Sequence, residues 1–73
     1  MRARELLGME VIDSAARIVG TVRDLDIDTQ KWTLNAIIIR AGFIRRKTVP
    51  ASDIDKVGDK VFLKVTADKI RRA

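Results

Sequence analysis

A period-two alternation runs along the second predicted strand and changes phase once. Ile18, Gly20 and Val22 share one parity, whereas Leu25 and Ile27 share the other. Side chains of a strand point alternately to the two faces of a sheet, so the change requires an irregularity near Arg23 and Asp24. A β-bulge is the usual irregularity, and it bends the strand. A strongly bent strand in a chain of 73 residues predicts a small, closed or nearly closed β-barrel.

The other strand and turn patterns predict one all-β domain that spans residues 1–73. Strands are expected at residues 9–12, 17–28, 32–40, 47–49 and 60–65. Short helical turns are expected at residues 51–54 and 66–72, and residues 2–7 form either a helical turn or an extended lead-in. Asp13 and Ser14 are typical of a turn, because their side chains bond nearby backbone amides. Trp32 and Phe62 are expected in the core. The expected fold class is a small, strongly bent β-barrel of five to six short strands with short helical turns.

The third predicted strand is apolar on both faces at Ile37, Ile38 and Ile39. A domain of this size has few elements that can cover the second face of a strand. Either the barrel or a terminal helix curls over that face, or a partner subunit covers it, since large exposed apolar patches are rare on monomers. We adopt the second interpretation and expect a homodimer or partner interface at Ile37 and Ile39, extended by Phe43 and Ile44.

A basic cluster follows the third strand and consists of Arg40, Arg45, Arg46 and Lys47. The net charge of +5 favours an anionic partner of some kind. The cluster either contacts an acidic protein or forms a solvated loop that keeps an edge strand from pairing wrongly. Nucleic-acid binding ranks below both, because single-strand recognition needs several aromatic platforms and the chain has one Trp, two Phe and no Tyr.

Three carboxylates, those of Asp24, Asp26 and Asp28, share one parity of the second strand. Such a row suggests a site for Ca²⁺ or Mg²⁺, which oxygen ligands bind. A glycine-bearing calcium loop does not accompany them, and carboxylates spaced along a strand do not converge on one point. We therefore interpret them as a solvated acidic stripe that meets basic residues across the hairpin, such as Lys31 or Arg40.

The residues of nucleophilic and acid–base catalysis are sparse. The chain has no Cys, no His and no Tyr, and its two serines, Ser14 and Ser52, fall in predicted turns. We expect neither enzymatic activity nor a cofactor or metal. Apolar runs stay well short of the roughly 18 residues that cross a bilayer, and the N-terminus lacks the apolar region of a signal peptide. A cytoplasmic location without a membrane span is therefore expected.

Three segments give the chain a family resemblance: LLGMEVIDSAARIVGTVRDLDID, LNAIIIR and VPASDIDKVGDKVFL. Together they resemble the PRC-barrel family, which includes the cytoplasmic domain of the photosynthetic reaction centre H subunit and the C-terminal domain of the ribosome maturation factor RimM. The most specific positions of the match are Gly8, Val11, Asp13, the segment 20–28, Val49, Pro50, Ile54, Val57, Gly58 and Asp59.

The resemblance implies a small bent β-barrel that acts as a binding module and has no catalytic residues. Stand-alone members of this size look most like archaeal proteins, some of which are similar to partners of the division protein SepF. The function expected from the resemblance is thus a protein-binding, homodimeric adaptor, with a SepF-type protein as one partner. The alternative is an RNA- or ribosome-associated module that uses the basic face, as in RimM.

Overall fold

A computed structural model describes residues 1–43 and 45–72 of the chain. Within these residues, one short helix, α1 (Ala3–Leu6), precedes seven strands. The strands are β1 (Glu10–Ile12), β2 (Ile18–Asp28), β3 (Thr33–Ala41), β4 (Arg45–Pro50), β5 (Ile54–Val57), β6 (Val61–Leu63) and β7 (Arg71–Arg72). Two 3-10 helices, Ala51–Asp53 and Ala67–Lys69, connect β4 to β5 and β6 to β7.

The seven strands form one mixed sheet in the order β5-β6-β1-β2-β3-β4-β7. β1 and β6 are parallel, and the other neighbours are antiparallel. Along the described residues, hydrogen bonding runs from β5 to β7 without joining these two ends. The expectation of a small, bent, mostly β domain is confirmed, with the correction that the sheet is not closed into a ring of hydrogen-bonded strands.

The bulge predicted in β2 is present. Val22 pairs with Ile39 and Asp24 pairs with Ile38, so Arg23 is the extra residue of β2. The extra residue turns both Val22 and Leu25 toward the core, although three positions separate them. The change of parity in the sequence therefore has the expected structural cause.

A second irregularity lies in β3 and was not predicted. Asp26 pairs with Ala36 and Ile27 pairs with Leu34, which leaves Asn35 as the extra residue of β3. Leu34 consequently packs against the same core as Ile37, three positions later.

Two residues of the predicted interface, Ile37 and Ile39, lie in the core instead. Ile37 and Ile39 are both 0% exposed, because the side chains of the domain itself enclose them. The apolar residues of this strand on the opposite face are Ala36, which is 3% exposed, and Ile38, which is half-buried. Ile37 and Ile39 therefore do not form the exposed apolar patch that was expected for a partner. The buried core consists of Val11, Val22, Ile37, Ile39, Val49, Val61, Leu63 and Ile70.

Three other sequence predictions are also corrected. Trp32 is 79% exposed instead of buried. The segment 66–72 is not one helical turn, since β7 follows the 3-10 helix and pairs with β4. Residues 54–57 form a strand, β5, which was not predicted from the sequence.

Asp13 holds the turn between β1 and β2 and ties it to the C-terminal segment. Its Oδ1 accepts hydrogen bonds from the backbone N–H groups of Ala15 at 3.0 Å and Arg17 at 2.8 Å. Its Oδ2 accepts a third from the backbone N–H of Ala67 at 3.0 Å. The Arg17 N–H, aided by those of Ala67 and Ala15, lowers the pKa of Asp13, while partial desolvation opposes the shift. The turn chemistry expected of Asp13 is confirmed.

Gly20 allows β2 to approach β3 closely. A Cβ atom at this position would lie 2.1 Å from the backbone oxygen of Arg40 and 2.8 Å from its carbonyl carbon. Both atoms belong to the backbone of β3, so a side chain could be accommodated only if the strands moved apart. Glycine is therefore required here by space rather than by its φ angle.

Candidate protein-interaction surface

The hairpin between β3 and β4 ends in a group of basic and aromatic side chains that we call the basic tip: Arg40, Phe43, Arg45 and Arg46. Arg40 organises the loop, since its Nε donates to the backbone oxygen of Gly42 at 3.1 Å and its Nη2 to that of Phe43 at 2.6 Å. Gly42 has φ +77°, a left-handed conformation that suits glycine. The turn leaves Phe43 90% exposed.

Two arginines of the basic tip lie directly opposite each other. Arg40 and Arg46 are cross-strand partners of β3 and β4, and like charges in that position are destabilising. Among the described residues, the ion pair found is between Lys60 and Glu10, whose Nζ and Oε1 are 3.1 Å apart, away from this hairpin. The basic tip thus carries charges for which the described part of the chain provides no acidic partner.

The structure keeps some of the expected contact residues together and separates others. Phe43 and Arg45 are exposed at the tip, whereas Lys47 is half-buried. Ile37 and Ile39 are in the core and cannot contact a partner in this fold. The prediction for Ile44 lies outside the described residues.

The face of the sheet opposite the core forms a second surface, which we call the outer face. Ile39 points into the core, so its neighbours Ile38 and Arg40 point outward. Their cross-strand partners share this face, since side chains of paired residues lie on the same side. The outer face includes Thr21, Asp24 and Asp26 of β2, Ile38 and Arg40 of β3, and Arg46 and Thr48 of β4.

The three aspartates of β2 each accept a separate local hydrogen bond. Asp24 Oδ1 accepts the backbone N–H of Leu25 at 2.8 Å. Asp26 Oδ2 accepts a hydrogen bond from Nδ2 of Asn35 at 2.8 Å. Asp28 Oδ1 accepts the backbone N–H groups of Gln30 at 2.9 Å and Lys31 at 3.2 Å, which shapes the β2–β3 turn.

Within the described part of the domain, the three aspartates act separately and form neither a shared metal site nor the expected ion pairs. No group of three or more metal-binding side chains forms among residues 1–43 and 45–72. The expected ion pairs with Lys31 and Arg40 are not formed, because Lys31 reaches Asp28 through its backbone and the Arg40 guanidinium turns to the loop carbonyls.

An exposed aromatic residue, not predicted from the sequence, lies at the β2–β3 hairpin. Trp32 has φ 54°, a left-handed conformation that is uncommon for residues other than glycine. It is the last residue before β3, and its indole projects into solvent. The signal for this geometry was the four-residue connection between Asp28 and Thr33, since hairpin loops of this kind impose positive φ at specific positions.

The helices of the described residues are all too short and too polar to cross a membrane. No curated protein matches the chain. The family model of the PRC-barrel domain matches residues 1–70 of the 73. The match spans the bulged β2, the Asp13 turn and the basic tip alike, and it agrees with the small bent β-sheet domain described above. The chain therefore belongs to the PRC-barrel domain family.

Proposed function

We propose that this protein is a non-enzymatic adaptor that binds other proteins, with the basic tip as its contact for an acidic protein surface. PRC-barrel domains are protein-interaction modules, which supports the general class. The observation that carries the specific proposal is Phe43, whose side chain is 90% exposed beside arginines that lack an acidic partner among the described residues. Full burial of an exposed phenylalanine side chain contributes roughly 1.5–3 kcal/mol before the costs of association.

The arginines give this contact its selectivity. Complementary charge speeds encounter and fixes the register of an interface more than it raises affinity. Arg and aromatic residues also dominate the few positions that carry most binding energy in protein interfaces. An acidic segment with an apolar side chain is thus the partner that fits an exposed phenyl ring at the end of the hairpin that carries Arg45 and Arg46.

The more specific form of the proposal comes from the resemblance to stand-alone archaeal members of the family. In this form, the protein is a cytoplasmic homodimer and one of its partners is a division protein of the SepF type. The alternative is RNA or ribosome association through the same arginines, which the net charge of +5 favours.

A photo-cross-linking residue at position 43 tests the proposal. The variant Phe43→p-benzoylphenylalanine is expected to cross-link to an acidic protein in lysate of the native cell, and the matched control at the exposed Lys64 is not. Mass spectrometry then identifies the adduct. Cross-linking to RNA instead, or equal labelling at both positions, would contradict the proposal.

Salt separates the two candidate partners. Binding to single-stranded nucleic acid weakens with a slope of about −0.7 in log K per log salt for each phosphate neutralised. Binding that is driven by burial of the Phe43 ring against a partner depends far less on the salt concentration. A cross-link that survives moderate salt supports a protein partner, and one that disappears with a steep slope supports nucleic acid.

A further inference from the structure

Asp26 and Arg46 lie at equal and opposite displacements from Ile38 on the outer face. Asp26 pairs with Ala36, two residues before Ile38, on the strand to one side. Arg46 pairs with Arg40, two residues after Ile38, on the strand to the other side. With about 3.4 Å per residue and about 4.8 Å between strands, each Cα lies roughly 8 Å from that of Ile38. In the register of the three strands, the Cα of Ile38 therefore lies midway between those of Asp26 and Arg46.

We propose that the outer face binds a second copy of this chain, with a two-fold axis in the plane of the interface that passes over Ile38. When this axis is perpendicular to the line from Asp26 to Arg46, each Asp26 faces Arg46 of the second copy. The same rotation places Ile38 against its counterpart and brings Asp24 close to Arg40 of the second copy. A two-fold interface requires such self-complementarity, because one patch must match itself.

The arrangement of charges on the outer face favours association of two copies over the isolated chain. Arg40 and Arg46 face each other across β3 and β4, and two carboxylates, those of Asp24 and Asp26, follow one another on the same face of β2. Each like-charged group is unfavourable in the monomer. In the two-fold complex, Arg40 and Arg46 of each copy face Asp24 and Asp26 of the other copy. The two Ile38 side chains lie between these two sets of contacts.

The acidic side chains are already held in place for this contact. Leu25 donates its backbone N–H to Asp24, and Asn35 donates Nδ2 to Asp26, both at 2.8 Å. Each carboxylate keeps further lone pairs for a guanidinium. Groups that are ordered before association lose less entropy when they bind.

The exposed surface of the domain is large enough to supply such an interface. The chain exposes 5290 Å², whereas a compact monomer of 8.2 kDa exposes about 4,500 Å². The excess is close to the roughly 800 Å² that each partner buries in an interface of standard size.

This inference rests on the proposed function, since it takes a second copy as one acidic surface that the basic tip contacts. Of the residues at the end of the hairpin, the contact with the second copy uses those that point to the outer face, Arg40 and Arg46. Arg45 pairs with Ala41 and has the opposite parity to Arg46, and Phe43 lies beyond both strands. These two residues stay available to another partner while Arg46 contacts the second copy.

Charge reversal at the two ends of the outer face tests the proposal by sedimentation equilibrium at low ionic strength. Wild-type protein is expected at twice 8.2 kDa. Asp26→Arg and Arg46→Asp each create like-charge contacts and should raise the dimer dissociation constant by at least about tenfold. An equimolar mixture of the two variants should restore the dimer, because the mixed pair recovers both oppositely charged contacts. The control reversals Asp59→Arg and Lys64→Asp lie at exposed positions away from the outer face and should not change the mass.

A monomeric wild-type protein would overturn the proposal, and so would a dimer that both single variants leave unchanged. Failure of the variants to recover the dimer on mixing would also overturn the proposed pairing. The cross-link from position 43 is an independent readout. A monomer that still gives the cross-link overturns self-association and leaves the adaptor function standing. A charge-sensitive dimer without the cross-link supports self-association and contradicts the contact through Phe43.

Discussion

The carboxylate of Asp13 accepts a hydrogen bond from the backbone N–H of Ala67, which lies 54 positions later in the chain. This contact joins the first turn of the domain to its C-terminal 3-10 helix. Asp13 is 4% exposed, and its other oxygen bonds two amides of its own turn. One buried side chain thus fixes both the entry into β2 and the segment that leads to β7.

Replacing Asp13 with Asn should lower the stability of the domain. The amide keeps the size of the carboxylate but replaces one acceptor oxygen with a donor, which leaves at least one of the three N–H groups unpaired. The midpoint of thermal unfolding, measured by circular dichroism at pH 7, is expected to fall by several degrees. Asp59→Asn, at an exposed turn position, serves as the control and should leave the midpoint unchanged.

The stabilisation by Asp13 should depend on pH with a defined sign. The folded state lowers the pKa of Asp13 from its ordinary value of 3.8, so its stabilising effect is complete above that value. It is lost as the pH falls through the lower, folded-state pKa. The stability difference between wild type and Asp13→Asn should therefore be constant above about pH 5 and shrink in stronger acid. A difference that grows on acidification would contradict the hydrogen bonding of this carboxylate.

Gly20→Ala should be among the most damaging small substitutions in the chain. The added Cβ would lie 2.1 Å from the backbone oxygen of Arg40, and relief requires movement of two paired strands. Overpacking of this kind costs roughly 1–3 kcal/mol or more. Gly58→Ala is the matched control, because its Cβ meets nothing within 4 Å. Urea denaturation should show a large loss for the first variant and a change of less than about 1 kcal/mol for the second.

The two facing arginines of the basic tip should respond differently to truncation. Arg40→Ala loses two hydrogen bonds to the loop carbonyls and should cost about 1 kcal/mol. Arg46→Ala removes a like charge from the opposite position and should be neutral or slightly stabilising in a monomer. Chemical denaturation of both variants at high salt, where any charge-driven association is weakened, measures the contrast. Equal losses would contradict the role of Arg40 in holding the loop.

The sequence predicted the bulge of β2 because the apolar positions on either side of Arg23 leave one consistent solution. It could not predict the bulge of β3. Residues 34 and 36–39 are all apolar, so either parity gives an apolar face and Asn35 gives no clear sign of which one is buried. The predicted interface at Ile37 and Ile39 was wrong for this reason.

The basic tip and the outer face differ in how readily they can be predicted from the sequence. The basic tip comes from one short segment, with Arg40 before Phe43 and Arg45 and Arg46 after it, and could be recognised directly. The self-complementary outer face combines Asp26 with Arg46, which are 20 positions apart, and depends on the register of three strands. The short β7 was also hidden, because Thr66 followed by charged residues is equally typical of a capped helical turn.

A single cysteine at position 38 tests binding through the outer face most directly. The chain contains no other cysteine, and sheets packed face to face lie about 10 Å apart, within reach of a short bismaleimide. Ile38→Cys is expected to give a covalent dimer in high yield, while Lys64→Cys stays monomeric. Adding Arg46→Asp to the first variant should lower the yield strongly, in line with the weaker dimer expected of that charge reversal. Equal cross-linking at positions 38 and 64, or none at position 38, would contradict a two-fold contact over Ile38.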